Sequence, residues 1–509
     1  MSSNSFLKAS NFFLCAFVFV YCLVRSVTVP IFHDEAVTAC YLAPDTFSNI
    51  FSYNVFFHTN NHWLNTLLIK ILVSIFGLSE LVIRVPALAG LVIYLWAALR
   101  LSTWLLPVQW QWAGLSVLLF NPFVLDFFSA ARGYGLGTGL ITAALFILIQ
   151  EISQKLERVD PVKICVAFVL LSFSVAANFT FFHVYVVSLI VMSVALILKK
   201  GQSPASVRGK IKGLFMAMLP GVLVLALSIR PMIFVSTILR DKTMYSGGEC
   251  GFWSSTVKSL VEAVLYGVPY ALNMQGALEV FIFMVVIASF GVIVYYLISK
   301  KPWPGSLISL SMVLSVVAGV AAIMVVQWNM MGVKYVTGRH AIYLIPLFLI
   351  MAVSLSAIGL SVRSKTARAI SGIFLLVLAF FSAGHFFKTM NTSSFFIIPQ
   401  KESVKQAIDH IALVQHAKHL PDDTISLCSS RLFIPHVRFY KMKYGLNWLK
   451  ELDYEQGCEL DGDYDYYYLF KAGDMERLND KSVINSLAPY KRLKIVLNFS
   501  ETDSYLAEY

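Results

Sequence analysis

Runs of about 20 apolar residues recur along this chain, and a helix rising about 1.5 Å per residue needs that length to cross a hydrocarbon core. They lie near 12–32, 85–106, 112–128, 134–150, 162–178, 181–198, 213–235, 277–298, 306–327, 339–360 and 369–387. A backbone inside lipid must satisfy its own polar groups, so such a chain folds as a helical bundle. Composition agrees, since 58% of the residues are hydrophobic and 14% charged, where a soluble domain carries about a quarter charged. The pattern predicts an α-helical polytopic membrane protein of about 11 spans. No small-x-small cleavage signal follows the first run, which reads as an uncleaved first helix.

The formal charge of +11 is unevenly spread. Residues 1–388 carry 26 Lys and Arg against 12 Asp and Glu, whereas residues 389–509 carry 14 against 17. The surplus sits in short connections: Lys155, Arg158 and Lys163; Lys199-Lys200 with Arg208, Lys210 and Lys212; Lys300-Lys301; and Arg363, Lys365 and Arg368. This is the distribution of orientation signals facing the cytoplasm, not of a nucleic-acid surface. Counting back from these connections makes 33–83 one long external loop. The short run 64–77, which contains Lys70, is then an interfacial helix and not a span.

Beyond about 389 the apolar runs stop. A helix-like 401–420, strand-like Thr424–Cys428 and Tyr464–Phe470, a helix-like 474–487 and a strand-like Leu493–Phe499 predict a small external α/β domain over 389–509. The seven cysteines show no CxxC and no paired spacing. Neither a zinc site nor a disulfide framework is indicated, and any disulfide would be incidental.

Phe32-His33-Asp34-Glu35-Ala36 places two adjacent carboxylates where the first span ends. Helix neighbours point about 100° apart, so one carboxylate can face a cavity while the other braces it. An isolated Asp-Glu pair often merely begins a polar loop. Here the external end also gathers His58, His62, Arg84, Arg132, His183, Lys334, Arg339 and His340, and ionisable groups at the ends of spans are costly unless they line a wet cavity. Cations beside carboxylates suit an anionic ligand and a proton acceptor, as for a phosphate leaving group and a hydroxyl nucleophile. Singly, Arg84 and the Arg339-His340 pair could instead snorkel to headgroups, and His183 could be a hydrogen-bonded core residue. Tyr266, Tyr270 and Tyr335 read as interfacial belt residues. Arg132 stands among Ala130, Ala131, Gly133 and Gly135, small residues that admit a ligand closely.

Four stretches resemble the GT-C superfamily of polyprenyl-phosphate-sugar glycosyltransferases, which includes the protein O-mannosyltransferases and the lipid A aminoarabinose transferases. They are His33-Asp34-Glu35-Ala36, Asn60-Asn61-His62-Trp63-Leu64, Leu81-Val82-Ile83-Arg84-Val85-Pro86-Ala87-Leu88-Ala89-Gly90 and Ala131-Arg132-Gly133-Tyr134. They cover roughly the first 140 residues, and Trp63 departs from the proline the family usually has after the histidine. The resemblance implies a GT-C-like transmembrane domain over 1–388, with Asp34 as general base, Glu35 as its partner in the motif, and Arg132 near the lipid phosphate. Arg339 and His340 join Arg132 as donor phosphate ligands, and His33, His62, Arg84, Tyr134 and His183 line the cavity or the acceptor side.

The expected activity is inverting transfer of a sugar from a polyprenyl-phosphate carrier to an acceptor hydroxyl of a glycan, lipid or protein at the outer face, by an aspartate near its normal pKa. A transporter or lipid flippase is the alternative, although transporters keep their charges at midplane and commonly show paired repeats, and no repeat is visible here. No cofactor is called for, a divalent cation is left open, and no nucleic acid is expected as a partner. A bacterial inner membrane is favoured over the endoplasmic reticulum. Asn178-Phe179-Thr180, Asn391-Thr392-Ser393 and Asn498-Phe499-Ser500 match the glycosylation sequon, a triplet that chance often supplies.

Overall fold

In the computed structural model the described residues are 3–55, 60–153, 160–197, 204–229, 233, 247–396, 403–417, 424–429, 431–450, 464–470, 494–499 and 504–508. They form a helical bundle with a small sheet formed near the C-terminus. Helix α1 (Ser3–Thr28) is followed by a compact loop holding α2 (His33–Val37), a π-helical turn at Thr38–Leu42 and α3 (Phe47–Ser52). Then come α4 (Trp63–Phe76), α5 (Glu80–Leu105), α6 (Gln111–Leu119), α7 (Pro122–Phe128), α8 (Gly133–Ser153), α9 (Pro161–Ala177), α10 (Phe182–Ile197) and α11 (Pro204–Ala226). The bundle closes with α12 (Lys258–Val264), α13 (Ala271–Ser299), α14 (Gly305–Met331), α15 (Leu344–Ser361) and α16 (Lys365–Thr389).

Among the described residues seven helices are long and apolar enough to cross a membrane, and an eighth span results if the pair 108–119 and 122–128, bent by 70° at Asn121-Pro122, counts as one. The runs expected to cross near 162–178, 181–198 and 213–235 contain shorter apolar helices, at Pro161–Ala177, Phe179–Ala195 and Phe215–Ala226. The bend has a local cause, because Pro122 begins a new helix whose Val124 amide donates to the Asn121 side chain at 3.0 Å. Helix α4 has 14 residues, about 21 Å of rise, which is short of a hydrocarbon core. Its Lys70 is spent on the loop, donating to the carbonyls of Ala43 at 3.0 Å and Asp45 at 2.8 Å.

Glycines set the closest helix packing. A Cβ on Gly139 would stand 2.1 Å from the Gly90 carbonyl oxygen, and one on Gly133 would stand 1.7 Å from that of Ala177. Helix α8 therefore lies backbone to backbone on α5 and α9. This draws Arg132, just before α8, and Asn178, just after α9, to one end of the bundle. The turn before α15 and the connector after α16 reach the same end, so the basic connections around 300–304 and 362–364 lie at the other.

After the connector come α17 (Ser403–Ala417), β1 (Ile425–Ser429), α18 (Ile434–Tyr444), β2 (Leu449–Lys450), β3 (Tyr466–Phe470), β4 (Lys494–Phe499) and β5 (Ser504–Glu508). The sheet order is β2-β1-β3-β5-β4, parallel across β2-β1-β3 and antiparallel across β3-β5-β4. Helix α18 and strands β2 and β5 were not expected, and the helix expected at 474–487 lies outside the described residues. The sheet's core is continuous with the first loop: Val437, Phe433 and Tyr440 pack in one cluster with Ile31, Ala36, Ala39 and Cys40. Cys428 is disulfide-bonded, a pairing that the spacing of the cysteines did not signal.

Candidate active site

Helix α2 begins at Phe32, whose amide donates to the Glu35 side chain at 3.3 Å. Two carboxylates in the first turn also suit the positive end of a helix. The same turn sends them in different directions. Glu35 is fully buried. Its Oε1 accepts from Arg84 Nε at 2.9 Å and from the Ala131 amide at 2.5 Å, and its Oε2 accepts from Arg84 Nη2 at 2.6 Å. Arg84 is equally buried and donates onward to the carbonyls of Val29 at 2.6 Å, Pro30 at 3.1 Å and Ser26 at 3.2 Å. It therefore ties the end of α1, α2 and the Arg132 loop together, and has no donor left over for a cavity. Neither the snorkelling nor the cavity-lining reading of Arg84 describes this arrangement.

Asp34 points the other way, and its side chain keeps 18% of its exposure. Its Oδ2 lies 3.0 Å from Arg339 Nη1 and 3.4 Å from Arg132 Nη2. Arg132 is bonded through Nη1 to the Asn60 side-chain oxygen. The Asn60 amide donates in turn to the Asp34 carbonyl at 2.8 Å and to Thr38 Oγ1 at 3.1 Å. Burial pushes the Asp34 carboxyl up, but Arg132, Arg339, His33 and His62 outweigh it and hold the group at about 2. This corrects the expectation of an aspartate near its ordinary value. The same pairing raises Arg339: burial works against its charge, and Tyr134 and Asp34 overcome it.

Tyr134 forms a wall of this site, buried, with ring centroids 5.7 Å from His62, 6.1 Å from His340 and 5.0 Å from Phe127. His62 lies 3.5 Å from the Asn178 side chain. Burial, reinforced by Arg132, drives His62 well below the ordinary imidazole value, and burial with Arg339 brings His340 down to about 4. Both rings are neutral at pH 7, so neither adds positive charge beside that of Arg132 and Arg339. His340, expected as a phosphate ligand, can offer at most a hydrogen bond. His33 turns away from the arginines, its Nδ1 lying 2.9 Å from the Leu432 carbonyl.

Other expected residues lie apart. His183 bonds Gln327 at 2.9 Å between α10 and α14, and Lys334 pairs with Glu249 at 2.8 Å. Trp63 is buried, with its indole N–H donating to Ser228 at 3.0 Å. The Asn178 side chain accepts from Thr180 at 3.0 Å and is 1% exposed, so that sequon offers no acceptor for a glycan. Among the described residues no three His, Cys, Asp or Glu side chains are grouped to hold a metal ion. At Asp34 guanidinium groups stand where a cation would, so the residues present do not fit the divalent cation left open above.

Sequence reasoning passed over Asn60, although its motif contains it, and missed a second buried pair. Arg25 Nη2 lies 2.5 Å from Asp126 Oδ1, both side chains essentially buried. Tyr266 and the Phe396 amide also donate to Asp126, at 2.7 and 2.9 Å. Arg25 donates to the carbonyls of Asn391 at 2.5 Å and Ser394 at 3.0 Å. An Arg in one apolar run and an Asp in another were the available signal, because each buried charge requires a partner.

No family model matches the chain, and no curated protein matches it. Among solved structures it is similar to ArnT from Cupriavidus metallidurans in the apo state, at 13% identity over 97% of this chain and 96% of that one, with a TM-score of 0.45. ArnT of the same organism bound to undecaprenyl phosphate gives 12%, 99%, 98% and 0.45. The Archaeoglobus fulgidus oligosaccharyltransferase in complex with Zn and sulfate gives 11%, 84%, 61% and 0.45.

Proposed function

We propose that this chain is an integral membrane glycosyltransferase that takes a sugar from a polyprenyl-phosphate carrier at the outer membrane face and gives it to an acceptor hydroxyl, inverting the anomeric centre. The observation that carries this reading is the Asp34 carboxylate held between Arg132 and Arg339. Two guanidinium groups against one carboxylate leave one positive charge for a phosphate, and guanidinium forks match phosphate oxygens. As the phosphate takes up the arginines, their hold on Asp34 weakens and the carboxylate becomes a better base. The acceptor oxygen attacks the anomeric carbon, the carbon–oxygen bond to phosphate breaks, Asp34 takes the hydroxyl proton, and the polyprenyl phosphate leaves between the arginines. Glu35 is spent on Arg84, so a single displacement at Asp34 is the route available, and a single displacement inverts.

The motif resemblance over the first 140 residues supports the same reading. So does the separation of the Asp34 group from the basic connections at the opposite end of the bundle, which fits an outer-facing site. A disulfide at Cys428 fits an oxidising compartment, as on the outer side of a bacterial inner membrane. On this reading 1–388 is the transferase domain and 389–509 an extracytoplasmic α/β domain. Transport is disfavoured because the charged group sits at one end of the bundle and not at midplane. Membranes containing the protein, incubated with a panel of labelled polyprenyl-phosphate sugars, test the proposal: one donor is consumed only when the protein is present. Consumption of none, with the protein folded, overturns it.

A further inference from the structure

The segment beyond α16 meets the Asp34 loop at two places. The connector is held by the Arg25 bonds to Asn391 and Ser394, and its buried Phe395 ring lies 5.3 Å from the guanidinium of Arg25 and 5.2 Å from that of Arg84. The same ring meets Phe32, the residue that opens α2, edge-on at 5.3 Å. The other place is α18. The Leu432 carbonyl, just ahead of that helix, is bonded to His33, and the buried His436 ring packs 6.1 Å from His33 and 5.7 Å from Phe433. Arg438 covers the Tyr41 ring at 4.5 Å, and Lys443 pairs with Glu80 at 2.7 Å where α5 begins.

His436 has no use in the proposed chemistry. Neither of its ring nitrogens makes a well-formed hydrogen bond among the described residues, although the ring lies near the Leu432 carbonyl that His33 also contacts. Burial with His33 alongside holds it neutral, down at about 3. What the ring supplies is volume against α2. Helix α2 has only five residues, too few to hold its shape without packing.

We propose that the C-terminal segment sets the position of the general base: Phe395 at Phe32, and His436 with the Leu432 carbonyl at His33, clamp the start of α2, so that Asp34 meets Arg339 and the acceptor in register. His436 and Phe395 are positioning residues, acting through His33 and Phe32. The inference rests on the glycosyltransferase reading for its effect on turnover, and on the packing alone for its effect on α2.

The test uses the full-length protein in detergent or nanodiscs with His436→Ala, His436→Phe and Phe395→Ala. Hydrogen–deuterium exchange over 31–42 reads the clamp without any assay of activity. Exchange there rises at least several-fold in His436→Ala and Phe395→Ala, stays near the parent in His436→Phe, and is unchanged over α8 in all three. With the donor that membranes consume, kcat per folded protein falls about tenfold or more in the two alanine variants and survives in His436→Phe, while binding of undecaprenyl phosphate stays within about twofold. Unchanged exchange over 31–42 in the alanine variants overturns the clamp. So does a lower melting temperature with parental kcat, which would make these residues merely structural. Loss of kcat in His436→Phe equal to that in His436→Ala overturns the assignment to ring volume. If exchange behaves as stated and no donor is consumed by any form, the clamp stands and the transferase reading falls.

Discussion

The Asp34 carboxylate lies 3.0 Å from Arg339, 305 residues further along the chain, while its neighbour Glu35 is sealed against Arg84. Two adjacent acids thus have separate work, and substituting them separates catalysis from folding. Asp34→Asn keeps the side chain's size and removes its basicity, so transfer falls about a hundred- to ten-thousand-fold with carrier binding largely kept. Parental turnover in purified Asp34→Asn, with donor saturating, would falsify the mechanism.

Glu35→Gln leaves the Arg84 guanidinium buried without its charge partner, and breaking a buried pair this way costs about 3–5 kcal/mol. Its main effect is therefore on the amount of folded protein and on the melting temperature in detergent. Turnover per folded molecule drops less than for Asp34→Asn, and the reverse ranking would exchange the two roles.

On the proposed reaction, Arg132→Ala and Arg339→Ala each weaken polyprenyl phosphate binding by about ten- to a hundred-fold, the range of a hydrogen bond to a charged group. The exposed Arg363, at the other end of the bundle, changes it little when replaced by Ala. Equal affinity in all three variants removes both arginines from the site.

His62, His340 and His436 are held neutral by burial, with His340 at about 4 and His436 at about 3. An unfolded histidine titrates near about 6.5. Below that pH the unfolded chain binds protons that the folded one refuses, so stability falls as pH drops from 6.5 towards 4. Asp34, depressed to about 2, adds its own loss only below about 4, where an unfolded aspartate begins to take its proton. The melting temperature in detergent therefore falls from pH 7.5 to pH 5, and by less in His340→Gln. An unchanged fall in that variant shows that His340 is not buried neutral.

The orientation inferred from charge puts the region near residue 205 in the cytoplasm and 33–83 outside. A cysteine introduced there, in a background with the native exposed Cys250 replaced, reacts with an impermeant maleimide only after the membrane is opened. Labelling in intact cells reverses the topology and removes the outer-facing site.

That Asp34 and Glu35 meet different partners was legible because neighbours on a helix point about 100° apart. Arg84 was not, because the choice between snorkelling and turning inward is decided by Glu35, 49 residues away, and no local pattern records that partner. Helix α18 escaped notice because Ile434, Val437, Phe439 and Tyr440 alternate with His436, Arg438, Lys441 and Lys443, which blurs the apolar period on which a helix assignment rests. The same mixture makes sense once both faces are occupied, one by the sheet and one by the first loop. The aspartate's basicity was misjudged for a related reason: it depends on Arg339, 305 residues further along the chain, and a shared external end does not record that the two side chains meet.

The two arginines that would receive the donor's phosphate are the ones that hold Asp34 in the empty protein. On the proposed reaction, an anion that draws them off makes the carboxylate a stronger base. An acceptor arriving first, or water in its place, meets the weaker base, so a loaded carrier favours transfer over idle hydrolysis.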